Sequence, residues 1–341
     1  QYNSADYKME PRKIQSIGKY TFTISLPKEW VRNQGLKQGD AITIVTEKDG
    51  SLRLAPKGKI KEGNTEYVIN ADLCNKPNLL KRMLIGSYIL GYDVIKIVSN
   101  EKISYNHIEE IQSVLPRLMG IAVIEESANQ IIIQGLMEPR KFSVENLIKR
   151  LHTLTSMMQK EAVDALSSLD VKKAKDVIRL EKDSDMVYWL ILKQLELASQ
   201  NPTIANEFNI EDINHSIVYG NIATRLENIG DRAENIAKIS LELKMPLPES
   251  CAQHLSYLGK HVFQAYERAL YAFFKGDIRL ANEVIESLRE IRNIDWMQSK
   301  KMCEHMDAVS LVAYTTVLHY LKSMASDIAR IGEIAINREI L

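Results

Sequence analysis

The sequence predicts a multidomain α+β chain. A small β-rich head comes first, then a small α/β middle domain, then a C-terminal six-helix bundle built from two three-helix repeats. Three patterns predict this. Tyr20, Phe22, Ile24 and Leu26 alternate with Thr21, Thr23 and Ser25, the period-2 signature of a half-buried strand. Strand and helix patterns then alternate over residues 64–138. From Phe142 onward the chain reads as helix and matches itself at an offset near 107 residues. The predicted domains are residues 8–60, 64–138, 142–245 and 249–341 of the 341.

Composition narrows the classes further. Hydrophobic residues make up 45% and charged residues 26%, which excludes wholesale disorder. The longest strictly apolar run, residues 186–192, is seven long, against the ~20 of a membrane-spanning helix. No membrane insertion is therefore expected, and Gln1-Tyr2-Asn3-Ser4 carries no leader pattern, so no secretory signal is expected. Cys74, Cys251 and Cys303 are too dispersed for a zinc knuckle or disulfide framework, which fits a reducing cytoplasm. The 44 basic and 44 acidic residues cancel overall, but not locally. Residues 1–60 hold eleven Lys+Arg against six Asp+Glu, and the remaining 281 hold 33 against 38. A basic module thus precedes an acidic body.

In the head, the alternating strand ends at Pro27, which suits the start of a short helix over residues 28–33 that Gly35 can terminate. Residues 41–45 form the next strand, and Asp49-Gly50 is a hairpin signal joining it to Leu52-Arg53-Leu54. So short a β segment buries little apolar surface alone, so the head is expected to dimerise. Arg12-Lys13-Ile14-Gln15, Gly18-Lys19-Tyr20, Leu26-Pro27-Lys28-Glu29-Trp30 and Gly35-Leu36-x-x-Gly39-Asp40 together resemble the AbrB/MazE/SpoVT family of swapped-hairpin DNA-binding domains. The resemblance implies that two chains interlock into one β-barrel and that basic residues contact DNA. Carried onto this sequence, these are Arg12, Lys13, Lys19, Lys28 and Arg32. Contacts of that kind are mainly to phosphate and give salt-dependent affinity. The alternative is that the same cations only solvate strand edges.

The middle segment reads strand (67–69), helix (77–90), strand (94–98), helix (105–118) and a hairpin of strands 121–125 and 130–134 around Ala128-Asn129. The order βαβαββ fits a small α/β domain. It has no Gly-rich phosphate loop and no cluster of His, Cys or carboxylates, so a scaffold or dimerisation role is expected. Gly86, Gly91 and Gly120 are read as serving close packing and helix ends.

In the repeated segment, Leu151, Ala162, Ala165, Asp170, Ala174, Val177 and Ile178 match Leu258, Ala269, Ala272, Asp277, Ala281, Val284 and Ile285. A helix stops near each shared Asp, which can cap its successor. Further on, the offset falls to 102, matching Ala223, Ile229, Gly230, Ala233 and Asn235 to Ala325, Ile331, Gly332, Ala335 and Asn337. Small residues Ala223, Gly230, Ala233 and Ala237 allow a neighbouring helix close. Glu227 and Asp231 lie four apart on one face with Asn235 extending the row, and Glu181 and Asp185 repeat that spacing on the preceding helix. Stacked like charges cost a few tenths of a kcal/mol each, and a cation between the helices would offset that. Oxygen ligands of this kind suit magnesium, calcium, manganese, iron or zinc. A solvated face is the alternative, since Lys182, Arg225 and Arg232 stand nearby in sequence. The histidines lack the Glu-x-x-His spacing of di-iron bundles, and Cys303-Glu304-His305 has no second cysteine for zinc.

The run Leu226-Glu227-Asn228-Ile229-Gly230-Asp231-x-Ala233-x-Asn235-Ile236-Ala237, the two repeats and the Asp-x-x-x-Ala turn resemble the PhoU family. That resemblance implies paired three-helix bundles connected with control of phosphate uptake, with metal clusters held by Glu/Asp-x-x-x-Asp motifs. It carries over to Glu181, Asp185, Glu227, Asp231 and Asn235 as ligands for iron, zinc, manganese or magnesium in the first repeat. The second repeat departs from the pattern: Leu288, Arg292, Ala329 and Glu333 stand at the four carboxylate positions. The combination is like that of archaeal phosphate-uptake regulators. It implies a cytoplasmic, dimeric, non-enzymatic DNA-binding regulator. The alternative is an adaptor for a phosphate transporter or sensor kinase, whose head only dimerises.

Overall fold

The computed structural model describes residues 11–46, 50–56, 65–136, 142–200, 202–210, 212–293 and 306–340. The chain divides into two compact units, with the boundary between Asn64 and Thr65.

In the first unit, β1 (Gln15–Ile17) pairs antiparallel with β2 (Thr21–Thr23), Gln15 opposite Thr23. Gly18, at φ +71°, makes the turn between them. Helix α1 (Lys28–Asn33) follows Pro27, and Gly35 at φ +67° ends it. The Gly-x-x-x-Gly-Asp stretch then closes on itself. Gly39 is also left-handed, and Asp40 Oδ2 accepts the Lys37 amide at 2.7 Å, a side chain mimicking a turn. β3 (Ile42–Thr46) pairs antiparallel with β4 (Leu52–Pro56). Asp49 of the hairpin signal lies outside the described residues.

Here the sequence expectation needs correction. The alternating run over 20–26 is strand only at Thr21–Thr23, and β1, which no pattern flagged, supplies its partner. Ile24 and Leu26 have no strand beside them within the described chain, and Pro27 offers no N–H to extend a ladder. Tyr20 is 93% exposed and Phe22 72%. One copy of this head leaves its apolar strand face uncovered.

The second unit opens with β5 (Glu66–Asn70), α2 (Leu79–Ile89), β6 (Val94–Val98), α3 (Tyr105–Val114), β7 (Ile121–Glu126) and β8 (Gln130–Gly135). The sheet order is β5-β6-β8-β7, with β5 parallel to β6 and the other pairs antiparallel. Leu80, Leu84 and Tyr88 of α2 and Ile111 and Val114 of α3 pack on Ile69, Ile95, Ile97, Ile131 and Ile133. Helix α3 is shorter than the predicted 105–118. Pro116 cannot donate the amide that another helical turn requires, so residues Leu115–Arg117 tighten into a 3₁₀ turn. Of the three glycines, Gly91 and Gly120 have positive φ and end their segments, whereas a Cβ on Gly86 would meet open space, so close packing does not explain it.

The helical body consists of α4 (Val144–Ser168), α5 (Val171–Gln200), α6 (Pro202–Glu207), α7 (Ile213–Glu242), α8 (Glu249–Lys275), α9 (Ile278–Ser287), α10 (Arg289–Arg292) and α11 (Ala308–Arg338). The paired Asp residues cap as expected. Asp170 Oδ1 accepts the amides of Lys172 and Lys173, and Asp277 Oδ1 that of Leu280. Helices α4, α5 and α7 pack on one another, as do α8, α9 and α11, while α4–α8 and α7–α11 join the two groups. Gly230 lets α7 approach α4 closely: a Cβ there would sit 3.0 Å from Thr155 Cγ2. Its match Gly332 does the same against Ile285 Cγ1 at 2.9 Å. The second repeat is less regular than the first. Its middle helix breaks at Leu288 into α9 and α10, against the unbroken 30 residues of α5. Cys303 and His305 lie outside the described residues.

The middle domain is not a free linker. Its helix α2 and the Leu115–Arg117 turn pack against α5, so it belongs to the same compact unit as the body.

Candidate functional site

The site forms where the first repeat meets the α/β domain. Its framework is a single ridge of α5: Glu181, Asp185, Trp189, Lys193 and Leu197, each four residues after the last. Every member touches the α/β domain or a residue projecting from it. The Arg117 Nη2 group donates to both oxygens of Glu181 at 2.9 Å and to Asp185 Oδ2. The same guanidinium lies 5.2 Å from the centre of the Trp189 ring, and Trp189 packs into the α/β core. The Lys193 ammonium sits 4.4 Å above the Tyr88 ring. Gly91, at φ +83°, ends α2 in the left-handed region, and a Cβ there would fall 2.6 Å from Leu197 Cδ2, so the absence of a side chain serves both the turn and the close approach.

Glu227 and Asp231, one turn apart on α7, face this ridge. Burial raises the Glu227 carboxyl to about 8, helped by the charges of Asp231, Asp185 and Glu181. Asp185 rises to about 7, again through burial first and Glu181 second, with Arg117 pulling the other way. Glu181 and Asp231 are raised as well, chiefly by burial. Tyr188, whose hydroxyl lies 3.5 Å from Thr224 Oγ1, is raised by burial and by Glu227, Asp231 and Asp185. Four half-buried carboxylates thus repel one another with Glu234 adding to the repulsion, and Arg117, Arg232 and Lys238 do not offset the loss of water.

The structure therefore brings four of the five predicted ligand residues within electrostatic reach. Asn235 lines a different groove, with Lys238, Ile239, Val312 and Tyr320, which none of the four carboxylates lines. The nearby cations also sort themselves. Arg225 and Arg232 donate to Asp327 on α11, at 3.0 and 2.5 Å, although the Arg232 charge still acts on Asp231. The donor set is hard oxygen, of the kind magnesium, manganese or iron accept. As the side chains stand, however, Arg117 holds two of the four carboxylates. Among the described residues no three acidic, His or Cys side chains are gathered closely enough to hold a metal ion. The arrangement fits a guanidinium. The corresponding positions of the second repeat carry no cluster: Leu288 and Ala329 are buried, and Glu333 pairs with Arg330 at 2.5 Å.

Sequence reasoning did not find Arg117. It sits in a turn of another domain, 64 residues before Glu181, and no periodicity connects them. Asp327 was also missed, although a signal existed: it is an acid set among buried Met324, Ala325, Ile328 and Ala329.

In the head, Arg12 and Lys13 precede β1, Lys19 follows the Gly18 turn, and Lys28 and Arg32 lie one turn apart on α1. All five are exposed.

Comparison with known proteins matches residues 148–240 and 255–337 to the PhoU domain model. Residues 17–62 match the model described as antidote-toxin recognition MazE, bacterial antitoxin. The phosphate-specific transport system accessory proteins PhoU of Escherichia coli (strain K12) and Shigella flexneri are each 26% identical over 157 residues. That stretch is 45% of this chain and 61% of theirs, so the chain spans about three fifths of the length of these curated relatives. The crystal structure of PhoU from Pseudomonas aeruginosa superposes with a TM-score of 0.47 at 19% identity, covering 57% of this chain and 93% of that one. The PhoU structure from Streptococcus pneumoniae gives 0.47 at 21% identity, covering 57% and 91%.

Proposed function

This chain belongs to the PhoU family, and from that premise we propose that it is a cytoplasmic, DNA-binding regulator of phosphate uptake whose helical body does the sensing. One observation carries the reading: a MazE-like segment with exposed Lys19, Lys28 and Arg32, preceded directly by exposed Arg12 and Lys13, is joined ahead of a PhoU body. We read the head as half of a swapped-hairpin barrel completed by a second copy. The exposed Tyr20, Phe22 and Ile24 support this, because an apolar face so open needs a covering partner. We read the body as a six-helix bundle of paired repeats, and the reading assigns it no catalysis. Among the described residues no helix is long and apolar enough to cross a membrane.

In this reading the five cations face phosphates, so affinity falls steeply with salt. Each phosphate contact contributes a slope of about −0.9 in log K against log salt on duplex DNA. The test is a fluorescence-anisotropy titration across promoters of phosphate-transport genes at several salt concentrations, with Arg12→Ala/Lys19→Ala beside the parent. Binding that is absent, or that ignores both salt and the double substitution, removes the DNA assignment.

A second reading has its own support, since the curated relatives bear the name of transport-system accessory proteins. The body would then hold a phosphate transporter or sensor kinase, and the head would only dimerise. Capture of such a partner by a chain lacking residues 1–60, together with a negative DNA titration, favours it.

A further inference from the structure

The two repeats also part company along α8. Leu147 and Leu154 of α4 pack in the core, and their matches in α8, at the same offset in the repeat, are His254 and His261. The middle helix of the second repeat breaks as well, at Leu288, into α9 and α10. These changes frame a cleft of about 560 Å³ lined by α8 and α10, within the roughly 300–1,000 Å³ of small-molecule sites. Polar groups converge on it from both helices. His254 is fixed from behind: its Nδ1 lies 2.8 Å from the hydroxyl of buried Tyr314, which leaves Nε2 as the nitrogen available to the cleft. Burial lowers the pKa of this imidazole, so at neutral pH it is an uncharged donor or acceptor. Tyr257 and His261, their ring centres 6.0 Å apart, make an aromatic wall beside it. Arg289 and Glu290 of α10, and Asn293 at its end, line the cleft from the other helix.

The cleft thus carries one cation and one anion next to each other. Arg289 comes only within 3.7 Å of Glu286, with side chains 70% and 60% exposed, a pair of negligible strength. Glu290 has no ion pair among the described residues. A simple anion entering here would meet Glu290, and a simple cation would meet Arg289. An apolar molecule would take water from both charges and return nothing. A molecule that carries both charges meets each with its opposite. We propose that this cleft of the second repeat binds a small zwitterion of the α-amino acid class, with its carboxylate on Arg289, its ammonium on Glu290 and its side chain against Tyr257 and His261. His254 Nε2 and the Asn293 amide supply the uncharged hydrogen bonds that orient it. Such a ligand ties α10 to α8 across the break in the middle helix. The inference goes beyond the DNA and phosphate readings and depends on neither.

The test uses the full chain with isotope-labelled histidines, read by nuclear magnetic resonance, and L-phenylalanine, L-leucine and L-glutamine as probes in turn. At least one should move the His254 and His261 signals saturably, with a Kd of about 1 mM or below. By calorimetry, His254→Leu/His261→Leu, which restores the residues of the first repeat, should lose that binding while its helical circular dichroism is kept. Removing one charge from the probe decides the assignment. The corresponding amine without the carboxylate, and the corresponding acid without the ammonium, should each bind about tenfold more weakly, the loss of one hydrogen bond to a charged group. Arg289→Gln should erase the difference between amino acid and amine, and Glu290→Gln that between amino acid and acid. The proposal is overturned if no probe moves the two histidines, or if the double leucine variant binds as the parent does. It is overturned equally if either single-charge analogue binds as tightly as the zwitterion, or if Arg289→Gln and Glu290→Gln leave the affinity unchanged. DNA titrations enter none of these outcomes, so a head that fails to bind DNA leaves the result readable.

Discussion

Replacing Asp327 with Ala tests how the two repeats are held together. Its side chain is 7% exposed, Oδ1 accepts from Arg225 at 3.0 Å and Oδ2 from Arg232 at 2.5 Å. Arg225 and Asp327 are also matched positions in the repeat, 102 apart, so the pair joins α7 to α11 at the same level of both. Hydrogen bonds to charged groups contribute about 1.5–3 kcal/mol each, giving an upper limit of about 3–6 kcal/mol for the two. The arginine side chains are 36% and 25% exposed, so water recovers part of what they lose. Arg225 Nε already lies buried without a partner, which limits that recovery for one of them. The expected cost is about 2–4 kcal/mol, toward the lower edge of the range for breaking a buried pair. Urea unfolding of residues 65–341 followed by circular dichroism reads it directly. A double-mutant cycle with Arg225→Ala should show coupling above about 0.5 kcal/mol. A loss under 0.5 kcal/mol, or strict additivity, would mean that the repeats are joined by apolar packing alone and would refute the reasoning.

Other consequences follow from the same packing. Gly259→Ala places a Cβ 2.7 Å from Cγ1 of buried, β-branched Val163, so about 1–3 kcal/mol of overpacking should outweigh the ~1 kcal/mol gain in helix propensity. Val163→Ala should rescue part of that loss in urea unfolding, and no rescue would place the strain elsewhere. Lys193 is 7% exposed above the Tyr88 ring, so Lys193→Met should be close to neutral in thermal unfolding, whereas Lys193→Glu should cost more than about 2 kcal/mol. In chelator-treated protein, Glu227 and Asp185 titrate near 8 and 7 when folded, against 4.5 and 3.8 when not. The folded state then holds protons that the unfolded chain releases, so this contribution is complete below about pH 4 and is lost as pH rises toward 8. Glu227→Gln should flatten that decline; an unchanged slope would show that the carboxylates titrate normally.

Much of the fold is legible in the sequence because its cause is local. Asp170 and Asp277 stop and restart helices through side-chain caps within three residues, and β6 falls on the predicted 94–98. The repeat offset located Gly230 and Gly332 because helix contact needs small residues at fixed spacing. The carboxylates were equally visible, since i,i+4 spacing alone puts them on one helix face. The early end of α3 was also written in the sequence, at Pro116, but helical periodicity outweighed it.

The long helices of the two repeats, the caps at Asp170 and Asp277 and the acidic rows of α5 and α7 can be read along the chain. Which charge meets which is settled by packing. Arg225 and Arg232 stand beside the acidic row in sequence yet serve Asp327 on another helix, while Arg117, from another domain, serves Glu181 and Asp185. Backbone hydrogen bonding and side-chain spacing act over a few residues, so they can be read along the chain. Coulomb attraction and burial act through space, and their partners are chosen only once helices and sheet have packed.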